Sequence, residues 1–278
     1  MNADRLPPGL YVVATPIGNL GDLSPRAAET LRRADLVLAE DKRVTAKLLS
    51  HAGSKSRLAN YNDHSSDADR DSIVARLGSE AIALVSDAGT PLISDPGYKL
   101  VRAAREAGHS VFTLPGPSAL IAALTLAGLP TDRFLFAGFL PAKAKARQEA
   151  LAELADIRAT LVFYEAGPRL GDALEAMRDA LGNRDGAVVR EISKLYEESV
   201  IGSLEELAER YAGNQPKGEI VVVVGQPPEK AEASDEDVDA ALTQAMRDAS
   251  PSRAAADVAA RLKIPRKRAY ARALELSR

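Results

Sequence analysis

Short apolar runs alternate with amphipathic stretches along most of this chain, and that alternation limits the fold more than any other feature of the sequence. Runs of Val, Leu and Ile indicate strands, and apolar residues at helical spacing indicate helices. Strands alternating with helices are the signature of an α/β protein. We predict strands at Leu10–Ala14, Leu36–Ala39, Ile82–Ser86, Val111–Leu114, Phe134–Ala137, Leu161–Tyr164, Ala187–Arg190 and Ile220–Val224. The helices predicted between them include Ser24–Arg33, Ala68–Leu77, Tyr98–Ala107, Lys145–Ala155 and Arg169–Leu181.

Turn-rich and charged segments divide the chain further. The Pro/Gly segment Leu114–Ser118 has four predicted strands on each side, so we expect one α/β domain at 1–115 and another at 116–228. The Pro- and acid-rich stretch that follows predicts a solvated linker at 229–240. Residues 241–278 predict a basic helical tail without strands. Its helix-turn-helix-like pair is expected at Ser252–Arg261 and Arg266–Leu276.

Composition excludes several chemistries. The chain has no cysteine, which rules out disulfides, thiolate metal sites and cysteine nucleophiles. Its three histidines, His51, His64 and His109, are far apart and lack metal-ligand spacing, so we expect no metal. No apolar run approaches the ~20 residues that cross a bilayer, and we expect a cytoplasmic protein.

The net charge of −3 conceals an uneven distribution. Residues 241–278 hold nine Lys/Arg and three Asp/Glu, a charge of +6, whereas the preceding 240 residues carry −9. We therefore expect a basic module attached to an acidic body. A solvated helical face is the alternative interpretation of the basic residues.

Four loops after predicted strands have the residue types of ligand-binding loops. The segment Val85–Gly97 combines two glycines, two prolines, hydroxyls and carboxylates directly after a strand, and predicts a ligand cradle in which Asp87 binds a hydroxyl or amino group. A rigid double turn is the alternative. No P-loop motif occurs, which disfavours NTPases. The other loops are Ala14–Gly21, Pro115–Ala119, which leads into an apolar helix, and Tyr164–Arg169.

An ordered set of segments between Leu10 and Gly225 resembles the ribosomal small-subunit RNA methyltransferase I family, a branch of the tetrapyrrole-methylase-like, class III methyltransferases. The segments are ATPIGNLGDLSPRA, EDKRVTAKLL, YNDHSS, ALVSDAGTPLISDPG, LPGPSALIAAL, FAGFLP, REISKLYEE and GEIVVVVG. The resemblance implies two α/β domains with S-adenosylmethionine in the cleft between them. It also implies 2′-O-methylation of cytidine 1402 in the decoding region of 16S rRNA, on the 30S subunit, by a homodimeric enzyme.

The resemblance also implies a cofactor site. By position, that site would contain Pro16, Asp87, Ala88, Gly89, Thr90, Ile93, Ser118 and Ala119, with Tyr164, Glu165, Glu219 and Ile220 near the adenosine end.

Because a ribose 2′-hydroxyl is a weak nucleophile, we also expect a general base, which typically contributes ~10²–10⁴-fold. The main candidates are Asp22, Glu40, His64 and Lys194, with Asp41 and Glu165 also possible from their positions. The residues that we expect to contact RNA are Arg43, Lys143, Lys145, Arg169, Lys194, Arg266, Lys267 and Arg268.

The residue types leave ordinary structural roles open. Glu40 could belong to a solvated helix start, and His64 could lie in the N-cap region of a helix. Lys194 could form a surface ion pair. Two other functions also stay open at this point. One is another methyltransferase of the same superfamily, and the other is a non-catalytic RNA- or nucleotide-binding regulator.

Overall fold

The computed structural model describes residues 5–62, 65–228 and 234–277. The chain divides into two compact units, Met1–Pro227 and Pro228–Arg278. Within the described residues, the first unit holds two five-stranded sheets and the second unit is helical. Both predicted α/β domains thus lie in one unit, and the predicted junction separates its sheets.

The first sheet is parallel throughout. Its strands are β1 (Gly9–Val13), β2 (Leu36–Ala39), β3 (Arg57–Asn60), β4 (Ala81–Leu84) and β5 (Val111–Leu114), in the order β3-β2-β4-β1-β5. Its helices are α1 (Pro25–Arg33), α2 (Lys42–Ala52), α3 (Asp67–Arg76) and α4 (Tyr98–Glu106). Every residue of β2 and β4 is buried, because helices cover both faces of a parallel sheet.

The second sheet is mixed. Its strands are β6 (Phe134–Phe139), β7 (Thr160–Ala166), β8 (Asp185–Arg190), β9 (Glu198–Ser203) and β10 (Glu219–Val224), in the order β6-β7-β10-β8-β9. Strands β6 and β7 are parallel, and the other neighbours are antiparallel. Its helices are α5 (Ala119–Ala127), α6 (Ala144–Leu154), α7 (Leu170–Leu181) and α8 (Leu204–Tyr211).

Both sheets are buried on their two faces. Along β1, Leu10 packs with Ile82 and Leu100, whereas Tyr11 and Val13 pack with a separate cluster on the other face. This alternation follows from the two-residue period of a strand. In the second sheet, neighbouring residues of β10 likewise divide between two clusters.

The second unit contains three helices within its described residues, α9 (Asp235–Ala245), α10 (Pro251–Leu262) and α11 (Arg266–Leu276). The predicted linker at 229–240 is therefore wrong from Asp235 onward. Ser234 caps α9 by a reciprocal capping box with Asp237, so this acidic stretch is a helix start. With α9 included, residues 228–278 hold ten Lys/Arg and nine Asp/Glu, a net charge of +1 instead of +6.

Candidate functional site

A cavity of about 320 Å³ lies in the first unit, where loops of the first sheet approach strands of the second. Its volume lies at the lower end of the ~300–1,000 Å³ typical of small-molecule sites. The lining residues are Ile17, Ala88, Gly89, Thr90, Ile93, Ser94, Asp95, Ser118, Ala119, Phe139, Tyr164, Glu165, Ala166, Ile192, Gly218, Glu219, Ile220 and Val221.

Three neighbouring strands of the first sheet carry the loops on one side of this cavity. After β1 and β4, Thr15 and Gly89 form a reciprocal bridge, with N···O distances of 2.8 and 3.1 Å. The Thr90 hydroxyl donates to the Pro117 carbonyl at 3.1 Å, which ties the β4 loop to the β5 loop. The cavity thus lies beyond the carboxyl ends of parallel strands, the usual ligand position in α/β sheets.

Two isoleucines line the cavity from loops with unusual backbone conformations. Leu92 and Ser94 flank Ile93 at φ angles of 76° and 63°. Glu191 and Ser193 flank Ile192 at 52° and 66°. Left-handed conformations at non-glycine residues cost about 1–3 kcal/mol and cluster at functional sites. In both loops they hold an apolar side chain at the cavity wall.

The start of α5 forms another part of the wall. Ser118 is the N-cap residue, yet its side chain makes no capping hydrogen bond. Ser118 and Ala119 both line the cavity. The first N–H groups of a helix lack intrahelical partners and favour an anion such as a carboxylate. This end of the cavity is therefore suited to a negatively charged ligand group.

Tyr164 and Glu165 line the cavity from β7. The Tyr164 ring makes edge contacts with Phe136 and Phe139, at centroid distances of 4.8 and 5.6 Å. Burial raises the pKa of Glu165, although the Ala166 N–H and the Arg169 guanidinium act in the opposite direction.

Arg169 is held by protein groups. Its Nε lies 3.2 Å from Glu165 Oε1, and its guanidinium also donates to the Leu140 carbonyl. The predicted RNA contact of Arg169 therefore has a structural alternative. Arg169 neutralises a buried carboxylate and fixes the loop after β6.

Lys194 lies at the edge of the cavity on the β8–β9 loop. Its Nζ donates to Glu191 at 2.9 Å and to Glu219 at 3.0 Å, and Glu219 lines the cavity. Burial alone would lower the pKa of Lys194, but these hydrogen bonds outweigh it and the pKa is raised. A protonated lysine cannot accept a proton, so this geometry disfavours Lys194 as the general base.

Among the other candidate bases that the structure describes, Glu165 lines the cavity, whereas Asp22, Glu40 and Asp41 lie outside its lining. Asp22 is exposed and accepts a hydrogen bond from the Ser193 hydroxyl. Glu40 is half-buried at the end of β2. Hydrogen bonds from Arg43 lower the pKa of Asp41 to about 2, so Asp41 is a poor base. His64 lies outside the described residues.

Ten of the twelve residues predicted for the cofactor line this cavity, and the other two do not. Asp87 is exposed, and its Oδ1 accepts the Asp41 N–H at 3.0 Å, which ties the β4 loop to the start of α2. Pro16 also lies outside the lining, although Ile17 belongs to it. Asp87 thus has a structural role that the motif alone did not indicate.

The lining residues that sequence reasoning missed belong to recognised motifs and loops, and most of them lie inside these segments. Ile192 belongs to REISKLYEE, where only the charged residues were considered. Phe139 belongs to FAGFLP, and Gly218 directly precedes Glu219. An apolar residue inside a polar motif is a signal that could have identified Ile192. The missed lining residues are Ile17, Ser94, Asp95, Phe139, Ala166, Ile192, Gly218 and Val221.

The predicted RNA contacts are distributed over both units. Arg43, Lys143 and Lys145 are exposed in the first unit, although Arg43 also binds Asp41 at 2.7 Å. In the second unit, the side chains at 266 and 267 are exposed, and Arg268 pairs with Asp235 at 2.7 Å.

Neither a metal cluster nor a membrane span is found in the part of the chain that the structure describes. No group of three or more His, Asp and Glu side chains there is placed to hold a metal ion. Over the same residues, no helix has both the length and the apolar character to cross a bilayer.

Comparisons with known proteins agree with this architecture. Residues 9–208 match the family described as Tetrapyrrole (Corrin/Porphyrin) Methylases, and residues 232–277 match the RsmI C-terminal HTH domain. Among solved structures, uroporphyrin-III-C-methyltransferase from Thermus thermophilus aligns with a TM-score of 0.55 and 23% identity, over 77% of this chain and 93% of that one. Diphthine synthase aligns with a TM-score of 0.56 and 16% identity, over 78% of this chain and 90% of that one. The predicted class III methyltransferase fold is confirmed.

Curated relatives are similar along the whole chain. Ribosomal RNA small subunit methyltransferase I of Erythrobacter litoralis is 55% identical over 275 residues, which cover 99% of this chain and 98% of the relative. The protein of the same name from Mesorhizobium japonicum is 46% identical over 278 residues, which cover 99% of this chain and 94% of that relative. The family predicted from the motifs is thus confirmed, and the chain belongs to the ribosomal RNA small subunit methyltransferase I family of the tetrapyrrole methylases.

Proposed function

We propose that this chain binds S-adenosylmethionine in the cavity and methylates small-subunit rRNA in the cytoplasm. We place the acceptor at the 2′-hydroxyl of cytidine 1402 in the decoding region of 16S rRNA, on the 30S subunit. One observation carries the cofactor assignment. Ten of the residues that the family resemblance assigns to the cofactor, from four separate sequence segments, line a single cavity. The names of the curated relatives support the rRNA substrate.

The cavity residues fit this cofactor chemically. Ile17, Ile93, Ile192 and Ile220 give apolar walls for an adenine ring and a thioether chain. The start of α5 suits the carboxylate of the methionine part. The Glu219 carboxylate also lines the cavity and can accept hydrogen bonds from ribose hydroxyls.

S-adenosylmethionine supplies an electrophilic methyl group on a sulfonium, so the protein's task is mainly to orient the reactants. The cavity loops would hold the cofactor while the four isoleucines exclude water. Protonated Lys194 lies beside Glu219, where it offsets that negative charge at the cavity edge. Outside the lining, Asp22 and Glu40 remain the described candidates for taking the 2′-hydroxyl proton. Asp22→Asn and Glu40→Gln test them by the single-turnover rate of methylation. A variant that loses this rate identifies the base, and unchanged rates in both variants would refute both candidates.

Labelled S-adenosylmethionine and 30S subunits lacking the modification test the proposal directly. The methylated nucleotide is mapped after incubation with wild-type protein. We expect label at the 2′-oxygen of cytidine 1402. Label on another nucleotide, on protein or nowhere would refute the assignment.

A cavity-filling variant tests the cofactor site separately. Ala119→Leu places three extra carbons at the lining, and we expect at least an about tenfold loss of cofactor affinity in calorimetry. Ala68→Leu, on the exposed first turn of α3, is the matched control and should bind normally. Equal affinities of the two variants would place the cofactor elsewhere.

We also propose that the protein is a homodimer through α5 and β9. Helix α5 is apolar nearly all round, and Ile121 on its outer side is 48% exposed. Ile201 on the neighbouring edge strand β9 is 61% exposed. A helix of this composition is normally covered on all sides, which a second copy would achieve. Ile121→Glu with Ile201→Glu should give monomers in sedimentation, and a wild-type monomer would refute the proposal.

A further inference from the structure

We propose that the outer face of α11, at Arg266, Lys267 and Tyr270, binds single-stranded or loop RNA. Arg268 and Arg272 instead hold the helices of the second unit together. This inference rests on the proposed function, because it assumes an RNA substrate. It divides the basic residues of the tail into two groups that the sequence alone does not separate.

The α10–α11 connection fixes which side of α11 faces outward. Lys263 ends α10 in the left-handed conformation, at φ 52°, and the Ile264 N–H donates to the Ala259 carbonyl at 3.1 Å. Ala269 and Ala273, one helical turn apart, are fully buried in the core of the unit. Arg266 and Tyr270 are also one turn apart but exposed, and Lys267 lies three residues before Tyr270, so these three side chains share one exposed side of the helix, next to the buried alanines.

The carboxylates of α9 neutralise only some of the cations. Arg268 binds Asp235 at 2.7 Å, and Arg272 binds Asp239 and, at 2.8 Å, Glu275. Among the described residues, no ion pair involves the cations on either side of the turn. Those cations are Arg261, Lys263, Arg266 and Lys267, and all four are exposed.

The sequence concentrates positive charge here. No Asp or Glu occurs between Asp257 and Glu275, whereas six Lys/Arg do. The unit as a whole is nearly neutral, but its charge is polarised, with acidic residues at the start of α9 and exposed cations at the α10–α11 turn. This is the pattern expected of a surface that binds a polyanion.

An exposed aromatic ring distinguishes RNA from a simple phosphate ligand. Tyr270 is 42% exposed, one turn along α11 from Arg266. Unpaired RNA bases stack on aromatic side chains, while neighbouring cations contact the phosphates. We therefore choose RNA as the occupant, and an acidic protein is the alternative outcome of the test.

Counterion release gives the expected size of the effect. Each phosphate contact contributes about 0.7–0.9 to the slope of log affinity against log salt concentration. At about 0.1 M salt, one contact therefore changes the affinity about five- to eightfold relative to 1 M salt. Arg266→Ala with Lys267→Ala should weaken RNA binding about 25- to 60-fold and reduce the slope by about 1.4–1.8.

The experiment uses the full chain and a fluorescent RNA that spans the decoding region of 16S rRNA. Affinity is measured by anisotropy from low to high salt. The matched control is Arg247→Ala with Arg253→Ala, which removes two exposed cations from the same unit outside α11. We expect the control to retain the wild-type slope. Tyr270→Ala should weaken binding without changing the slope, and Tyr270→Phe should restore it.

Two further measurements separate the possible failures. Circular dichroism should show a folded Arg266/Lys267 double variant, whereas Arg272→Ala should lower the unfolding temperature. Methylation by the wild-type protein is then measured at saturating RNA. If the wild type methylates but the double variant keeps its RNA affinity and slope, the proposal that this surface binds RNA is wrong, and the alternative of an acidic protein is then tested. If the wild type methylates no RNA, the proposed function itself fails.

Discussion

Gly18→Ala tests the contact between the β1 loop and the β8–β9 loop. A Cβ added to Gly18 would lie 2.4 Å from Lys194 Cγ and 2.7 Å from its Cε. Both distances are far below ordinary carbon contacts of about 3.5–4.0 Å. Since a lysine side chain is flexible, Lys194 should move away and lose its hydrogen bonds to Glu191 and Glu219.

The two lost ion pairs determine how much Gly18→Ala lowers the free energy of unfolding. The Glu219 carboxylate is 72% exposed, so its pair is worth about 0–1 kcal/mol. Glu191 is 18% exposed, and a hydrogen bond to a charged group is worth about 1.5–3 kcal/mol, which the partial exposure reduces to about 1 kcal/mol. Replacing glycine stabilises by about 0.4–1 kcal/mol through the unfolded state. The net loss expected in the free energy of unfolding is about 0–1.6 kcal/mol.

A double-mutant cycle makes this prediction specific. If Gly18→Ala destabilises only by displacing Lys194, then in a Lys194→Ala background it should instead stabilise the protein by about 0.4–1 kcal/mol. Urea unfolding gives the free energies, and calorimetry should show weaker cofactor binding because Glu219 loses its cation. Gly78→Ala is the control, because its added Cβ meets only His109 Cε1, at 3.6 Å. An equal cost of Gly18→Ala with and without Lys194 would refute the reasoning.

Three further variants test the cavity walls and the loop that follows β7. Gly167→Ala would place a Cβ 1.6 Å from the Pro216 carbonyl oxygen, a backbone atom that cannot move aside easily. We therefore expect the free energy of unfolding to fall by about 3 kcal/mol or more. Calorimetry should show an unfolding temperature lower by at least about 6 °C. The pKa of Glu165 is raised above 4.5 in the folded protein, so ionisation of this carboxyl opposes folding. The free energy of unfolding should therefore fall as the pH rises from 4.5 through the folded pKa. Glu165→Gln should remove this pH dependence from urea unfolding curves. Ile192→Ala should weaken cofactor binding about 5- to 30-fold in calorimetry through lost apolar contact, and an unchanged affinity would exclude it from the site.

The strands that the sequence predicts are those with continuous apolar runs. All eight predicted strands are present, with ends shifted by up to two residues. Strands β3 and β9 were missed, and both are sheet edges. Edge strands are only partly covered, so Arg57–Asn60 and Glu198–Ser203 carry polar residues and lack the pattern of a buried strand.

Errors at helix starts have a related cause. The acidic stretch before Ala241 was interpreted as a solvated linker because charge runs are typical of exposed segments. Ser234 and Asp237 form a capping box, however, and Val238 and Leu242 are fully buried one turn apart. Acidic residues stabilise the positive end of a helix dipole, so composition alone cannot separate a linker from a helix start.

The cavity needs both sheets, and this explains which site residues the sequence could identify. Each loop is contiguous and recognisable, but its orientation depends on contacts across long sequence separations. The Ser193 hydroxyl meets Asp22, 171 residues away, and Thr90 binds Pro117 from another loop. Asp87 lies in the same motif as several lining residues, yet its carboxylate binds the start of α2 instead. A motif therefore indicates which loop meets the ligand, whereas the packing of the two sheets decides which side chain in that loop does so.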